Sequence, residues 1–220
     1  MKVDFFGPSK APLLGVFHPG QESTERVALL LCPSIGHENG RAHRALRMAA
    51  ERWRGPSFRF DWRGCGDSSG EAPASVVQLT EDFNSAANEL CKLAPDHKVI
   101  AVGLRLGALI AAHALQSHHM KLPIVGWHAP VSGAQWMNEI DQLDANARNL
   151  SLAARELRVE DERVGFLYPP QLREDIPKLH LVPGKNVSHP VSEDWTILLR
   201  REVPWMPGPS LELLIRSLSQ

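Results

Sequence analysis

The residues of this chain best placed to do chemistry gather around VIAVGLRLGALIAAHAL, where Gly103-Leu104-Arg105-Leu106-Gly107 separates two apolar runs. Two glycines flanking a central position allow a sharp strand-to-helix turn, with the central residue projecting beside a helix N-terminus. Here that residue is Arg105. A guanidinium is permanently protonated and cannot attack a carbonyl carbon, and no serine or cysteine lies between Gly103 and Gln116 to replace it. It can hold an anion, because the N–H groups of a helix start and arginine's planar fork both favour one. Two partners are open: the carboxylate or phosphate of a ligand, which would also meet the N–H of Leu106, or an acid of the same chain such as Glu38 or one from the later cap region.

Other groups could work beside it. Pro33-Ser34-Ile35-Gly36-His37-Glu38 follows an apolar run, which brings Ser34, Ile35 and Gly36 to the mouth of a cleft as ligand contacts. His37 is either an imidazole polarised by Glu38 or a structural loop residue. His128 closes an apolar run and is either a general base for a water-mediated reaction or a hydrogen-bonded wall residue. Cys65 is reactive only if a cation such as Arg63 depresses its pKa, and is otherwise a small filler. The three cysteines, Cys32, Cys65 and Cys91, are widely spaced with no CxxC pair, so neither a disulfide framework nor a metal site is expected. No cofactor is expected either.

Alternating strand and helix patterns position these groups, as in a mainly parallel sheet of an α/β protein. Strands are predicted at Val3 to Phe6, Leu13 to His18, Val27 to Cys32, Phe58 to Asp61, Lys98 to Gly103, Ile124 to His128, Leu179 to Val182 and Trp195 to Arg200. Helices are predicted at Arg41 to Trp53, Leu79 to Leu93 with Thr80 as N-cap, Leu106 to Leu115 and Ser210 to Leu218. Residues 1–220 read as one domain, with a cap-like insertion at about 130–177 that is too short for a core of its own.

The turn around Arg105, together with the D-x-R-G-x-G-x-S pattern of Asp61, Arg63, Gly64, Gly66 and Ser68, resembles the α/β-hydrolase superfamily over nearly the whole chain. More narrowly, CPSIGHENGRAHRALR, FDWRGCGDSSG, VGLRLGALIAA and WHAPVSG resemble bacterial hydrolase-like proteins associated with exosortase and exopolysaccharide systems. The resemblance implies an eight-stranded sheet, a cleft at the carboxyl ends of its strands, and ester, thioester or amide hydrolysis wherever the residues match. They do not match at the usual triad. Arg105 stands at the nucleophile position, no carboxylate follows the Leu179 to Val182 strand before Glu193 and Asp194, and VPWMPGPSLELL holds no histidine. Three readings follow. The cleft binds an acidic or acyl-bearing small molecule, or a relocated site built from His128, His37 or Cys65 hydrolyses one, or the fold serves as a scaffold for a partner.

Composition narrows the partners. With 24 Lys plus Arg against 25 Asp plus Glu, the formal charge of −1 advertises neither nucleic acid nor an anionic membrane. No run approaches the roughly 20 apolar residues of a membrane helix, and MKVDFFGPSK has no apolar core of a signal peptide, so a cytoplasmic protein is expected. Oligomeric state is not legible at this level.

Overall fold

Val27–Cys32 and Lys98–Leu104 carry almost no polar alternation, the pattern of strands covered on both faces. In the computed structural model, which describes residues 1–21, 26–150, 160–181, 185–187 and 208–219, they pair in parallel at the heart of a seven-stranded sheet. In chain order the elements are β1 Lys2–Phe6, β2 Leu13–His18, β3 Val27–Cys32, α1 His37–Arg52, β4 Ser57–Phe60, α2 Val76–Leu93, β5 Lys98–Leu104, α3 Leu106–Ser117 and β6 Ile124–Trp127. After them come α4 Gly133–Leu150, β7 Glu162–Arg163, β8 Phe166–Leu167, α5 Pro170–Asp175, a 3-10 turn at Ile176–Lys178, β9 Lys185–Val187 and α6 Gly208–Leu218. The sheet order is β1-β2-β4-β3-β5-β6-β9; β1 and β2 run antiparallel, and the rest are parallel to one another.

Helices cover both faces, as a parallel sheet demands. Leu29, Leu31, Val102 and Leu104 meet Ala42, Ala45, Leu46 and Ala49 of α1 and Leu211 and Leu214 of α6. On the other face Ala28, Leu30 and Ala101 meet Leu79, Phe83, Ala86 and Leu90 of α2 and Leu109 and Ile110 of α3. The small residues of α3 let it bury almost all round, which explains its uniformly apolar sequence. Helix α4 and the segment after the β7–β8 hairpin reach the β5–α3 turn and the start of α1, through Glu139 on Arg105, Trp136 on Glu38 and Tyr168 on Gly36.

Three expectations shift. Helix α1 starts at His37 rather than Arg41, taking Glu38 into its first turn, where a carboxylate suits the helix dipole. The N-cap of α2 is Ser75, whose hydroxyl accepts from the Gln78 N–H, while Thr80 lies inside the helix and donates to the Val77 carbonyl at 2.7 Å. The strand expected at Leu179 to Val182 is not in the main sheet. Over the described residues it makes only the bridge Ser132↔His180, with Gly133 N–H donating to Leu179 O and Leu181 N–H to Val131 O, so its backbone pairs with the segment after β6. The next parallel strand is β9, at Lys185–Val187. The expected strand at Trp195 to Arg200, along with Glu193 and Asp194, lies outside the described residues.

Candidate functional site

The turn between β5 and α3 has the strained shape its glycines suggest. Arg105 sits at φ 52°, ψ −124°, a conformation L-residues rarely adopt, with its N–H donating to Trp127 O at 2.9 Å and its carbonyl accepting from Ala108 N at 3.1 Å. Gly107 is required by close approach, since a Cβ there would lie 2.6 Å from the Cys32 carbonyl oxygen. Leu106, at the start of α3, is fully buried.

Arg105 is 4% exposed, and its side chain meets two carboxylates of its own chain. Its Nε donates to Glu38 Oε1 at 2.9 Å, its Nη2 pairs with Glu139 Oε2, and its Nη1 donates to the His128 carbonyl at 3.2 Å. Glu38 is itself saturated: Ser34 Oγ donates to its Oε2 at 2.6 Å and Trp136 Nε1 at 2.7 Å. Glu139 also accepts from Gln135 Nε2 at 2.9 Å. Burial works against the guanidinium charge, but Glu38 and then Glu139 outweigh it and hold the pKa of Arg105 above its ordinary value. Of the two partners left open by the sequence, the structure places carboxylates of α1 and α4 on Arg105.

The open cleft lies beside this cluster. A cavity of about 730 Å³ is lined by Ile35 and Gly36, by Asn39 and His43 of α1, by Asp61 and Cys65 of the loop after β4, and by Phe166, Leu167 and Tyr168 of the hairpin region. Tyr168 divides the two places. Its ring meets Trp136 edge-on with centroids 5.9 Å apart, and its hydroxyl packs onto Gly36, where a Cβ would lie 2.9 Å from the tyrosine Cζ. Gly36 is at φ 62°, ψ −141°, so both its backbone and its neighbour exclude a side chain. Burial raises the Tyr168 pKa, so the phenol is neutral.

The loop carrying Cys65 is anchored from below. Arg63 holds Asp82 through its Nε at 3.0 Å and its Nη2 at 2.7 Å, and Ser68 Oγ donates to the Asp61 carbonyl at 2.7 Å. Arg63 therefore does not act on the thiol. Burial, then Asp61 and Asp82, push Cys65 up to about 11, which keeps it protonated near neutral pH and removes the activation the sequence hinted at. Asp61 is raised too, by burial, although the Asp67 N–H and the charges of His43 and Arg59 oppose it.

Of the other candidates, Ile35 and Gly36 line the cleft, whereas Ser34 is turned inward to Glu38. His37 is half-buried at the start of α1, its ring edge-on to Phe166 at 6.5 Å. His128, at φ 50° and 7% exposed, gives its carbonyl to Arg105 and does not line the cleft. Sequence reasoning missed Glu139 by name and Tyr168 altogether. Glu139 carried a faint signal in Gln135 one helical turn before it; Tyr168 carried none beyond being the only tyrosine. No group of His, Cys, Asp or Glu that could hold a metal occurs among the described residues, and no described helix is long and apolar enough to cross a membrane.

No family model and no curated protein matches the sequence. Solved structures do match. A lidless α/β serine hydrolase from Xanthomonas campestris is 18% identical with a TM-score of 0.51, covering 59% of this chain and 62% of that one. An Agrobacterium vitis protein assigned as a hydrolase is 16% identical with a TM-score of 0.52, over 79% and 69% of the two chains. A proline iminopeptidase from Mycobacterium smegmatis is 17% identical with a TM-score of 0.51, over 71% of this chain and 56% of that one. The chain thus spans less than two thirds of the length of the Xanthomonas and Mycobacterium proteins. At such identities the likeness speaks to architecture, and together with the strand order and the β5–α3 turn it makes this a chain of the α/β-hydrolase fold.

Proposed function

We propose that this protein uses the hydrolase fold to bind an acyl-bearing small molecule and performs no acyl transfer at the β5–α3 turn, where Arg105 replaces the serine nucleophile. The observation that carries the reading is the burial of Arg105 between Glu38 and Glu139. A guanidinium so held offers neither a nucleophile nor room for a tetrahedral intermediate. The neighbouring cleft supports the binding half. Ile35, Tyr168, Leu172, Phe166 and Leu167 provide apolar walls for a chain, and Asn39 and His43 offer polar contacts at one side. The raised pKa of Cys65 argues against a relocated thiol nucleophile.

One observation favours a second way of binding at the same place. Glu38 is fully buried, but the Glu139 side chain is 19% exposed and stands on α4. An anionic ligand that displaced Glu139 would meet Arg105 without disturbing Glu38 or the Ser34 hydroxyl bound to it.

The test uses octanoate, methyl octanoate and a panel of p-nitrophenyl esters and acyl thioesters. Wild type and Arg105→Ala are expected to turn over none of the esters or thioesters. Octanoate and its methyl ester are expected to raise the melting temperature of wild type, and not that of a Phe166→Asp/Leu167→Asp variant. Stabilisation by octanoate alone, retained in that variant and lost in Arg105→Ala, would select the displaced-Glu139 mode. Turnover by wild type that disappears in Arg105→Ala would sink the proposal.

A further inference from the structure

Strand β1 ends the sheet, and its outer edge is open among the described residues. We infer that this edge is the interface of a homodimer, in which β1 of two copies pairs antiparallel about a two-fold axis at Val3 and continues the sheet from one copy into the next.

Hydrogen-bond directions come first. Leu14 N–H donates to Ser68 Oγ and Leu14 O accepts from Asp61 N–H, so the peptide groups of Leu14 face away from β1. Leu14 stands opposite Phe5, and Val16 opposite Val3. In an antiparallel ladder, Phe5 and Val3 then aim their own N–H and C=O groups at the outer edge. The Phe5 N–H agrees with this direction, donating to the Asp4 carboxylate at 2.9 Å and to no strand among the described residues.

Side chains supply the selectivity. The register about Val3 sets Val3 against its twin, Met1 against Phe5, and Lys2 against Asp4. Met1, Val3 and Phe5 share one face and are 71%, 52% and 55% exposed, an apolar stripe that the same stripe of a copy would cover. On the opposite face the Lys2 and Asp4 side chains are each 64% exposed and pair with each other at 2.9 Å. In the dimer each meets the opposite charge of the copy, at the non-hydrogen-bonded positions where cross-strand side chains come closest. The sequence KVDFF is thus complementary to itself in this register and not when slipped by one residue, which would set Lys2 against Val3 and Asp4 against the Met1 position. Neither a proline nor a glycine interrupts KVDFF to break such pairing.

The experiment is light scattering across a dilution series of the full chain. Wild type is expected at twice the 24.4 kDa chain mass, dissociating on dilution. Lys2→Glu and Asp4→Lys, made separately, each put like charges opposite one another at two positions and should weaken the dimer by about tenfold or more. The two changes in one chain should restore it. An equimolar mixture of the two single variants should form heterodimers, although each chain then carries a repulsive pair of its own; this excludes damage to β1 as the cause. A monomeric wild type overturns the inference and leaves the edge to a strand of another protein. A dimer indifferent to both single changes, or singles that weaken it without recovery on mixing, overturns it equally.

Discussion

Two neighbouring regions at the carboxyl ends of the strands differ in almost every physical respect. Around Arg105 the space is filled, charged and closed: Glu38, Glu139, Ser34 and Trp136 satisfy one another, and the cluster is drawn from the β3–α1 segment, the β5–α3 turn and α4. Beside it, the cleft bounded by Gly36, Asp61, Cys65 and Phe166 is roomy and mostly apolar. Tyr168 and Gly36 form the wall between them. The difference teaches that a buried guanidinium at the β5–α3 turn closes its own surroundings and leaves the adjoining cleft open. Arginine needed carboxylates once buried, and those carboxylates closed one chamber while the adjoining loops kept the other.

The largest expected effect comes from breaking the closed side. Arg105→Ala leaves Glu38 buried beside Ser34 and Trp136 without its cation, and should lower stability by about 3–5 kcal/mol in urea unfolding. Glu139→Gln should cost much less, because its side chain reaches solvent. Equal losses would mean that both acids carry the closure, contrary to the burial pattern.

Next is the wall. Gly36→Ala must hold alanine at positive φ and push Tyr168 aside, at a cost of about 1–3 kcal/mol, and it should also alter octanoate binding because Tyr168 lines the cleft. Thermal unfolding with and without octanoate checks both. A stability loss with unchanged binding would show that Tyr168 belongs to the closed side alone.

The cleft itself should respond weakly and with a defined sign. Burial raises the Asp61 carboxyl above its ordinary value of 3.8, so the folded state binds that proton more tightly than the unfolded one. Its contribution to stability is full below the unfolded value and is lost as pH rises through the raised folded value. Asp61→Asn should therefore stabilise at neutral pH, with the gain vanishing in acid; denaturation midpoints at the two pH values test this. An Asp61→Asn protein that is destabilised at neutral pH would mean that the carboxylate's contact with the Asp67 N–H outweighs its burial.

The smallest effect leaves stability untouched. With its thiol near 11 rather than 9, Cys65 holds roughly 100-fold less thiolate than an ordinary cysteine, so alkylation near neutral pH should strike exposed Cys91 first. Peptide mapping after brief iodoacetamide treatment would show it. Rapid labelling of Cys65 would reopen the case for a reactive thiol in the cleft.

Much of this was legible from one chain of letters. Patterns of apolar residues located β1 to β6, α3 and the closing helix to within a few residues, because strand and helix periods are local properties. The glycines at 103 and 107 announced the turn, and they did so because close packing of Gly103 onto the Ala108 backbone and of Gly107 onto the Pro33 and Cys32 carbonyls tolerates no side chain. Leu179 misled for the same local reason: its apolar run looks like a strand, but its backbone partner is the segment after β6, a choice made by distant chain. Arginine at position 105 could be recognised as unable to attack, since that is a property of the guanidinium alone. Whether it faced a ligand or an internal acid depended on Glu38, 67 residues before it, and Glu139, 34 residues after it. Tyr168 closed against Gly36 through contacts that no spacing rule encodes. Sequence by itself determined most of the elements, the turn and the arginine at its tip. Only tertiary structure decided which charges met there and which part of the cleft stayed open, because ion pairing and packing are set by distances in space between residues remote along the chain.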